Sequence, residues 1–151
     1  MKADLIYDMG QGVPSISDMV EGGWKVDADN EENPPKIAIG ELELVPCLRQ
    51  GEYVIGGLVL VERAKELNIR FGQRFAKYLW EHRQDFPKRW SSHILVLAGT
   101  VLRDCDGDRR IPGFRHEDGR WAFHLYVSGY GFDGRVRLLR PRAWLFEDFR
   151  P

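Results

Sequence analysis

The sequence predicts an α+β domain: two amphipathic helices packed on a curled antiparallel β-meander, preceded by an irregular acidic segment. Three observations lead there. Between Gly56 and Phe86 the apolar residues recur with helical period. From His93 onward they run together or alternate, as strands do. Three Asp-Gly pairs, Asp106-Gly107, Asp118-Gly119 and Asp133-Gly134, then separate strand-forming stretches. Asp-Gly suits a hairpin because both turn positions need positive φ.

The chain has 151 residues, a single-domain length, and a domain of this size hides roughly 70% of the surface its unfolded form exposes. Residues 1–35 read as the irregular acidic segment and 36–151 as one α+β domain. The first stretch holds too many glycines for a confident element, and "DADNEENPP" is an acidic loop closed by a double proline. "KIAIGELELVP" alternates imperfectly and predicts one or two short strands ended by Pro46.

In the middle, Leu60, Ala64 and Leu67 make one apolar stripe, and Asn68 is an acceptable helix stop. Phe71, Phe75, Tyr78 and Leu79 make a second stripe, closed by Pro87, with a bend expected around Asn68 to Gly72. "HILVLAGTVLR" is nearly continuous in apolar residues, the pattern of a strand covered on both faces. The expected sheet has four or five strands and resembles an SH3-like small barrel in shape. Ile94, Val96, Val101, Trp121, Phe123, Leu125 and the helix stripes should form its core. Pro112 and Gly113 conflict with an interior strand, because proline removes a ladder donor. A bulge there, with Phe114 near Gly99, would resolve the conflict.

Composition excludes several classes. No apolar run approaches the ~20 residues of a membrane helix, and "MKADLIYDMG" lacks the basic-then-apolar order of an export signal. Two cysteines, Cys47 and Cys105, suit a reducing compartment, so the expected location is cytoplasmic. The net charge of −1 hides a split: residues 1–62 carry four basic against twelve acidic side chains, and the rest is correspondingly basic. Such asymmetry means either an anionic partner or two halves that neutralise each other.

The most chemical-looking run is "RDCDGDRR", Arg103 to Arg110. As a calcium loop starting at Asp104 it fails at positions 6 and 12, which are Arg109 and Arg115. As a hairpin it pairs Asp104 with Arg109 and Leu102 with Ile111. Cys105 lies in this turn without an identifiable base. The second hairpin pairs His116 with Trp121 and Phe114 with Phe123, which puts His116 and His124 on opposite faces. "GYGFDG" precedes a strand rather than a helix, so it is a loop and not a phosphate cradle. No catalytic set, metal site or cofactor motif emerges.

The favoured function is a small interaction module binding a protein partner, or a second copy, through its sheet and aromatic loop. Trp121, Tyr126, Tyr130 and Phe132 are the candidate contact residues. The alternative is nucleic acid binding. Arg63, Arg70, Arg74 and Lys77 would share a helical face if the helix ran through, and Arg109, Arg110, Arg135 and Arg137 lie among aromatics. A third reading, an enzyme of unassigned chemistry, lacks a nucleophile–base–orienter set.

Overall fold

The computed structural model describes residues 6–8, 12–31 and 36–142. Among them, eight strands and three α-helices follow in the order β1 (Ile6–Asp8), α1 (Ile16–Glu21), β2 (Lys25–Asp29), β3 (Leu42–Pro46), α2 (Gly57–Glu66), α3 (Gln73–Glu81), β4 (Ile94–Val96), β5 (Thr100–Arg103), β6 (Arg109–Glu117), β7 (Arg120–Val127) and β8 (Val136–Pro141). The strands make one mostly antiparallel sheet that curls into a half-barrel, in the order β1-β7-β6-β4-β8-β3, with β5 also against β6 and β2 outside β5. The fold is α+β, with more strands than the four or five expected. The additional ones come largely from the stretch expected to be irregular. There β1 pairs with β7, β2 pairs with β5, and Ser15 Oγ caps α1 by accepting from the Asp18 N–H at 3.1 Å. Elements of three to six residues have little local signal and take their stability from partners distant in sequence.

Alternation splits the apolar residues into two cores. Leu95, Phe114, Phe123, Leu125 and Leu139 face α3 with Phe75, Leu79 and Trp90. Ile94, Val96, Ile111, Tyr126, Val136 and Leu138 face α2 with Leu60, Val61 and Ala64. The sheet is thus covered on both sides, as the apolar run from Ile94 implies. The expected core residues are in place but divided: Ile94, Val96 and Val101 on one side, Phe123 and Leu125 on the other, with Trp121 partly buried beside them.

The meander β5–β6–β7 follows the predicted turns with one change of register. At Asp118-Gly119 both residues have positive φ, 52° and 79°, and the strands pair His116 with Trp121 and Phe114 with Phe123. At Asp106-Gly107 only Gly107 has positive φ, and the pairs are Arg103 with Arg109 and Leu102 with Arg110, one residue away from expectation. The cause is Asp104. Its Oδ1 accepts the Asp106 and Asp108 N–H groups at 3.0 and 2.9 Å, and its Oδ2 accepts from buried Arg110 Nε at 3.0 Å. That carboxylate is absorbed into the loop, which widens to five residues. The like-charged pair Arg103/Arg109 is tolerated because Asp27 sits at 2.7 Å from one and 3.2 Å from the other. Asp27 occupies the bulge in β2 between Val26 and Ala28, and the bulge aims it there.

Asp133-Gly134 does not close a hairpin. β7 and β8 are not neighbours; β8 crosses to pair parallel with β4 and antiparallel with β3. Asp133 Oδ1 instead accepts the Arg135 N–H at 2.9 Å, an Asx turn that needs no left-handed residue. The expected bulge at Pro112 is also absent from β6, which pairs with β7 without interruption. The irregularity lies in the facing chain. β4 pairs in the register Val96–Gly113, β5 in the register Leu102–Arg110, and the three-residue offset falls at residues 97–99. Pro112 therefore stands where the ladder changes hands, and Phe114 faces Leu95 rather than Gly99.

The two central helices are separate. α2 ends in a Schellman arrangement: Asn68 has a φ of 56°, its N–H bonds Lys65 O at 3.0 Å, and the Ile69 N–H bonds Ala64 O at 2.9 Å. Leu67, expected in the stripe, is consequently exposed. α3 ends at Glu81, short of Pro87, and 3₁₀ turns at Arg83–Asp85 and Lys88–Ser92 carry the chain to β4. Between the helices the chain crosses residues 99–100 at backbone contact. A Cβ on Gly99 would lie 2.1 Å from Arg70 O, and one on Gly72 would lie 2.1 Å from Thr100 Oγ1. The buried Glu31 carboxylate caps α3 from across this crossing, accepting from the N–H groups of Gly72, Arg74 and Phe75 at 2.5, 2.8 and 3.1 Å.

Replacing Gly99 by alanine should lower stability by about 1–3 kcal/mol or more, since neither backbone can retreat without losing bonds. Urea unfolding reads this as a lower midpoint at unchanged slope. A wild-type midpoint would show that the crossing has room to spare.

Candidate interaction surface

α2 begins with four consecutive apolar residues, Leu58 to Val61, and a helix can turn only part of such a run inward. Leu60 and Val61 are buried, whereas Leu58 and Val59 are 42% and 44% exposed. Just upstream, Tyr53 and Val54 are 87% and 58% exposed. These four are the largest local concentration of exposed apolar side chains among the described residues.

The segment that carries them is held firmly. Ile55 exchanges both backbone hydrogen bonds with Phe132 at 2.9 Å, and Gly57 N–H bonds Ser128 O at 2.8 Å. A Cβ on Gly57 would meet Ile111 Cδ1 at 2.6 Å, so the first turn of α2 lies directly on β6. From the other side Arg63, largely buried, donates to both Glu52 oxygens at 2.5 and 2.7 Å and to Cys47 O at 2.8 Å. Its guanidinium, together with the Arg49 N–H, pulls the Glu52 carboxyl down to about 2. Burial pushes the Cys47 thiol up to about 11, so it stays protonated. Ion pairs Arg49–Glu66 and Lys65–Glu62 lie along the exposed side of α2.

The aromatic candidates are placed differently from expectation. Tyr126 and Phe132 are fully buried, and with partly buried Tyr130 they form a three-ring cluster with centroids 5.0–5.3 Å apart. They lie beneath the sheet's α2 face rather than at an exposed tip. Trp121 is on the other face, edge-on to Phe86 at 5.1 Å. The Tyr53–Val54 surface that this cluster backs was missed. Its signal was the "LVLV" run itself, one apolar pair more than a single helical face accommodates.

The basic candidates also scatter. Arg63 is committed to Glu52; Arg74 pairs with Asp29 at 2.7 Å and with Glu31; Lys77 is exposed on α3; and Arg70 Nε bonds Asn68 Oδ1 at 3.0 Å. The left-handed Asn68 breaks the helix, so the single basic face does not form. Arg109 meets Asp27, Arg110 meets Asp104, Arg135 meets Asp133 at 3.0 Å, and Arg137 donates to the carbonyls of Gly134 and Val136. The acidic and basic halves neutralise each other to a large degree within the fold.

One polar cluster borders the α2-side core. His124 Nε2 is 3.0 Å from Glu117, Arg115 contacts both Glu117 and the Tyr130 hydroxyl, and Tyr126 packs against His124 and Tyr130. The Tyr126 hydroxyl is buried without a hydrogen-bond partner among the described residues, and burial raises its pKa. As the alternation predicts, His116 is on the opposite face with Trp121. Among the described residues no group of three or more His, Cys, Asp or Glu could hold a metal ion, and no helix is long and apolar enough to cross a membrane. Set against known protein families, curated proteins and solved structures, the chain matches none.

Two outcomes follow from these contacts. A carboxylate depressed from 4.5 to about 2 stabilises the fold above the higher value and loses that contribution as the pH falls toward the lower. The stability gap between wild type and Glu52→Gln should therefore shrink across that window in urea titrations; a constant gap would contradict the pairing. Tyr126→Phe removes an unpaired buried hydroxyl, so it should leave stability unchanged or raise it by about 1 kcal/mol. A clear loss would mean that the hydroxyl is bonded.

Proposed function

We propose that this chain is a small interaction module, working in a reducing cytoplasmic setting, that binds a protein partner through Tyr53, Val54, Leu58 and Val59. The observation that carries the reading is the exposure of these four side chains on a segment pinned at both ends. An apolar centre with a tyrosine, flanked by charged pairs, has the anatomy of a protein interface. Because the loop is held by Ile55, Gly57 and Glu52, little ordering entropy opposes binding. The buried Tyr126–Tyr130–Phe132 cluster serves as the support of this surface. The curled meander β5–β6–β7 supports an SH3-like arrangement for that part of the sheet, but the function rests on the surface and not on the shape.

The test compares wild type, the double variant Tyr53→Ala/Leu58→Asp, and the control Val26→Asp, which alters an exposed apolar residue on β2. Light scattering reports self-association, and cross-linked capture followed by mass spectrometry reports a partner. A partner, or a second copy, held by wild type and by Val26→Asp but lost from the double variant supports the surface. Equal retention by all three, at matched melting temperatures, overturns it.

A further inference from the structure

On the face opposite α2, a groove of about 350 Å³ opens beside edge strand β3, lined by Leu42, Leu44, Arg89, Trp90, His93 and Arg142. Three parts of the chain converge there. The pair Leu42–Pro141 brings Arg142 to the start of β3, the 3₁₀ turn Lys88–Ser92 supplies Arg89 and Trp90, and His93 leads into β4. Arg137, paired with Leu95 of β4, is close enough to act electrostatically on His93.

The groove collects guanidinium groups whose charge no carboxylate cancels. Most arginines elsewhere meet carboxylates: Arg49, Arg63, Arg74, Arg103, Arg109, Arg110, Arg115, Arg135 and Arg140 each have one within 4 Å. Among the described residues Arg83 and Arg120 have none either, but Arg89, Arg137 and Arg142 also lack one, and these three are gathered in or beside this groove. Arg137 and Arg142 donate to backbone carbonyls, which orients them without cancelling their charge. Glu43 also lines the groove, but Arg140 Nε holds its carboxylate at 2.6 Å. His93 Nδ1 is buried with no hydrogen-bond partner among the described residues. Burial, helped by Arg137, lowers the pKa of this imidazole against the opposing pull of the Arg135 backbone.

We infer that the groove binds a small oxyanion ligand, a phosphate or carboxylate head joined to a compact apolar body. Guanidinium forks match such heads, and charge-assisted bonds to them are strong. The half-buried Leu44, above the buried floor of Leu42 and Trp90, would take the apolar body. The volume lies at the lower end of small-molecule sites, which begin near ~300 Å³, and is too small for a folded partner. The site is separate from the surface around Tyr53, so either can fail without the other.

The experiment is an NMR and calorimetric titration of the full chain with phenyl phosphate, benzoate and inorganic phosphate at low salt. Saturable binding of phenyl phosphate or benzoate, with shifts at the Trp90 indole and His93 ring, is expected. Affinity should fall about tenfold or more in Arg89→Gln and in Arg137→Gln, and should weaken as salt rises. Arg89→Lys, which keeps the charge but removes the fork, should lie between. Melting temperatures establish that each variant is folded. No saturable response to any of the three probes, or binding unchanged in both glutamine variants, overturns the proposal. A response to inorganic phosphate equal to that to phenyl phosphate overturns the apolar half of it. Retention of single-stranded oligonucleotide alone would overturn it in favour of a polymer.

Discussion

The crossing of residues 70–72 over residues 99–100 is the constraint on which the remaining architecture depends. Two glycines allow the backbones to touch, and the contact is sealed by bonds from Gly99 N–H to Phe71 O at 2.9 Å and from Gln73 N–H to Thr100 Oγ1 at 2.9 Å. Asn30 N–H adds a bond to Gly99 O at 2.7 Å, which brings the end of β2 to the same point. Glu31 then caps α3, with its carboxyl pushed up by burial against the pull of three N–H donors. At one junction the chain thus sets the start of α3, the break between β4 and β5, and the attachment of the N-terminal strand. A buried carboxylate in this position is costly unless every acceptor is used, and here the helix supplies the donors.

Charge is organised by the same topology. Asp27 and Asp29 lie on β2, which runs beside β5, so their carboxylates reach Arg103, Arg109 and Arg74. Glu43 on β3 faces Arg140 on β8 at 2.6 Å. The lopsided distribution along the chain becomes a set of cross-strand and strand-to-helix pairs, many half exposed and individually modest. Of the guanidinium groups that the pairing leaves over among the described residues, three are gathered at the β3 groove, while Arg83 and Arg120 lie elsewhere.

Covering the sheet on both faces has a consequence for function. Large aromatics that a one-sided sheet would expose are consumed as core, Tyr126 and Phe132 under α2 and Phe114 and Phe123 under α3. Exposed apolar character is displaced to the entry of α2, where helix geometry cannot bury four successive residues. The fold therefore presents two chemically distinct surfaces on opposite sides: an apolar one beside α2 and a cationic one beside β3.

Local chemistry made much of this readable in advance. The Asn68 stop, the stripes of Leu60–Ala64 and Phe75–Leu79, the Asp118-Gly119 hairpin with its register, and the opposite facing of His116 and His124 all follow from period and backbone preference within a few residues. Other features have causes far away in the chain. β8 leaves the meander to join β4 and β3, and Ile6–Asp8 becomes a strand because β7 offers an edge. Whether an aromatic is core or surface, and whether an arginine is paired or free, depends on what lies across the sheet. Composition and spacing record which groups exist; long-range contact selects which of them meet, because burial and ion pairing act between residues that only folding brings together.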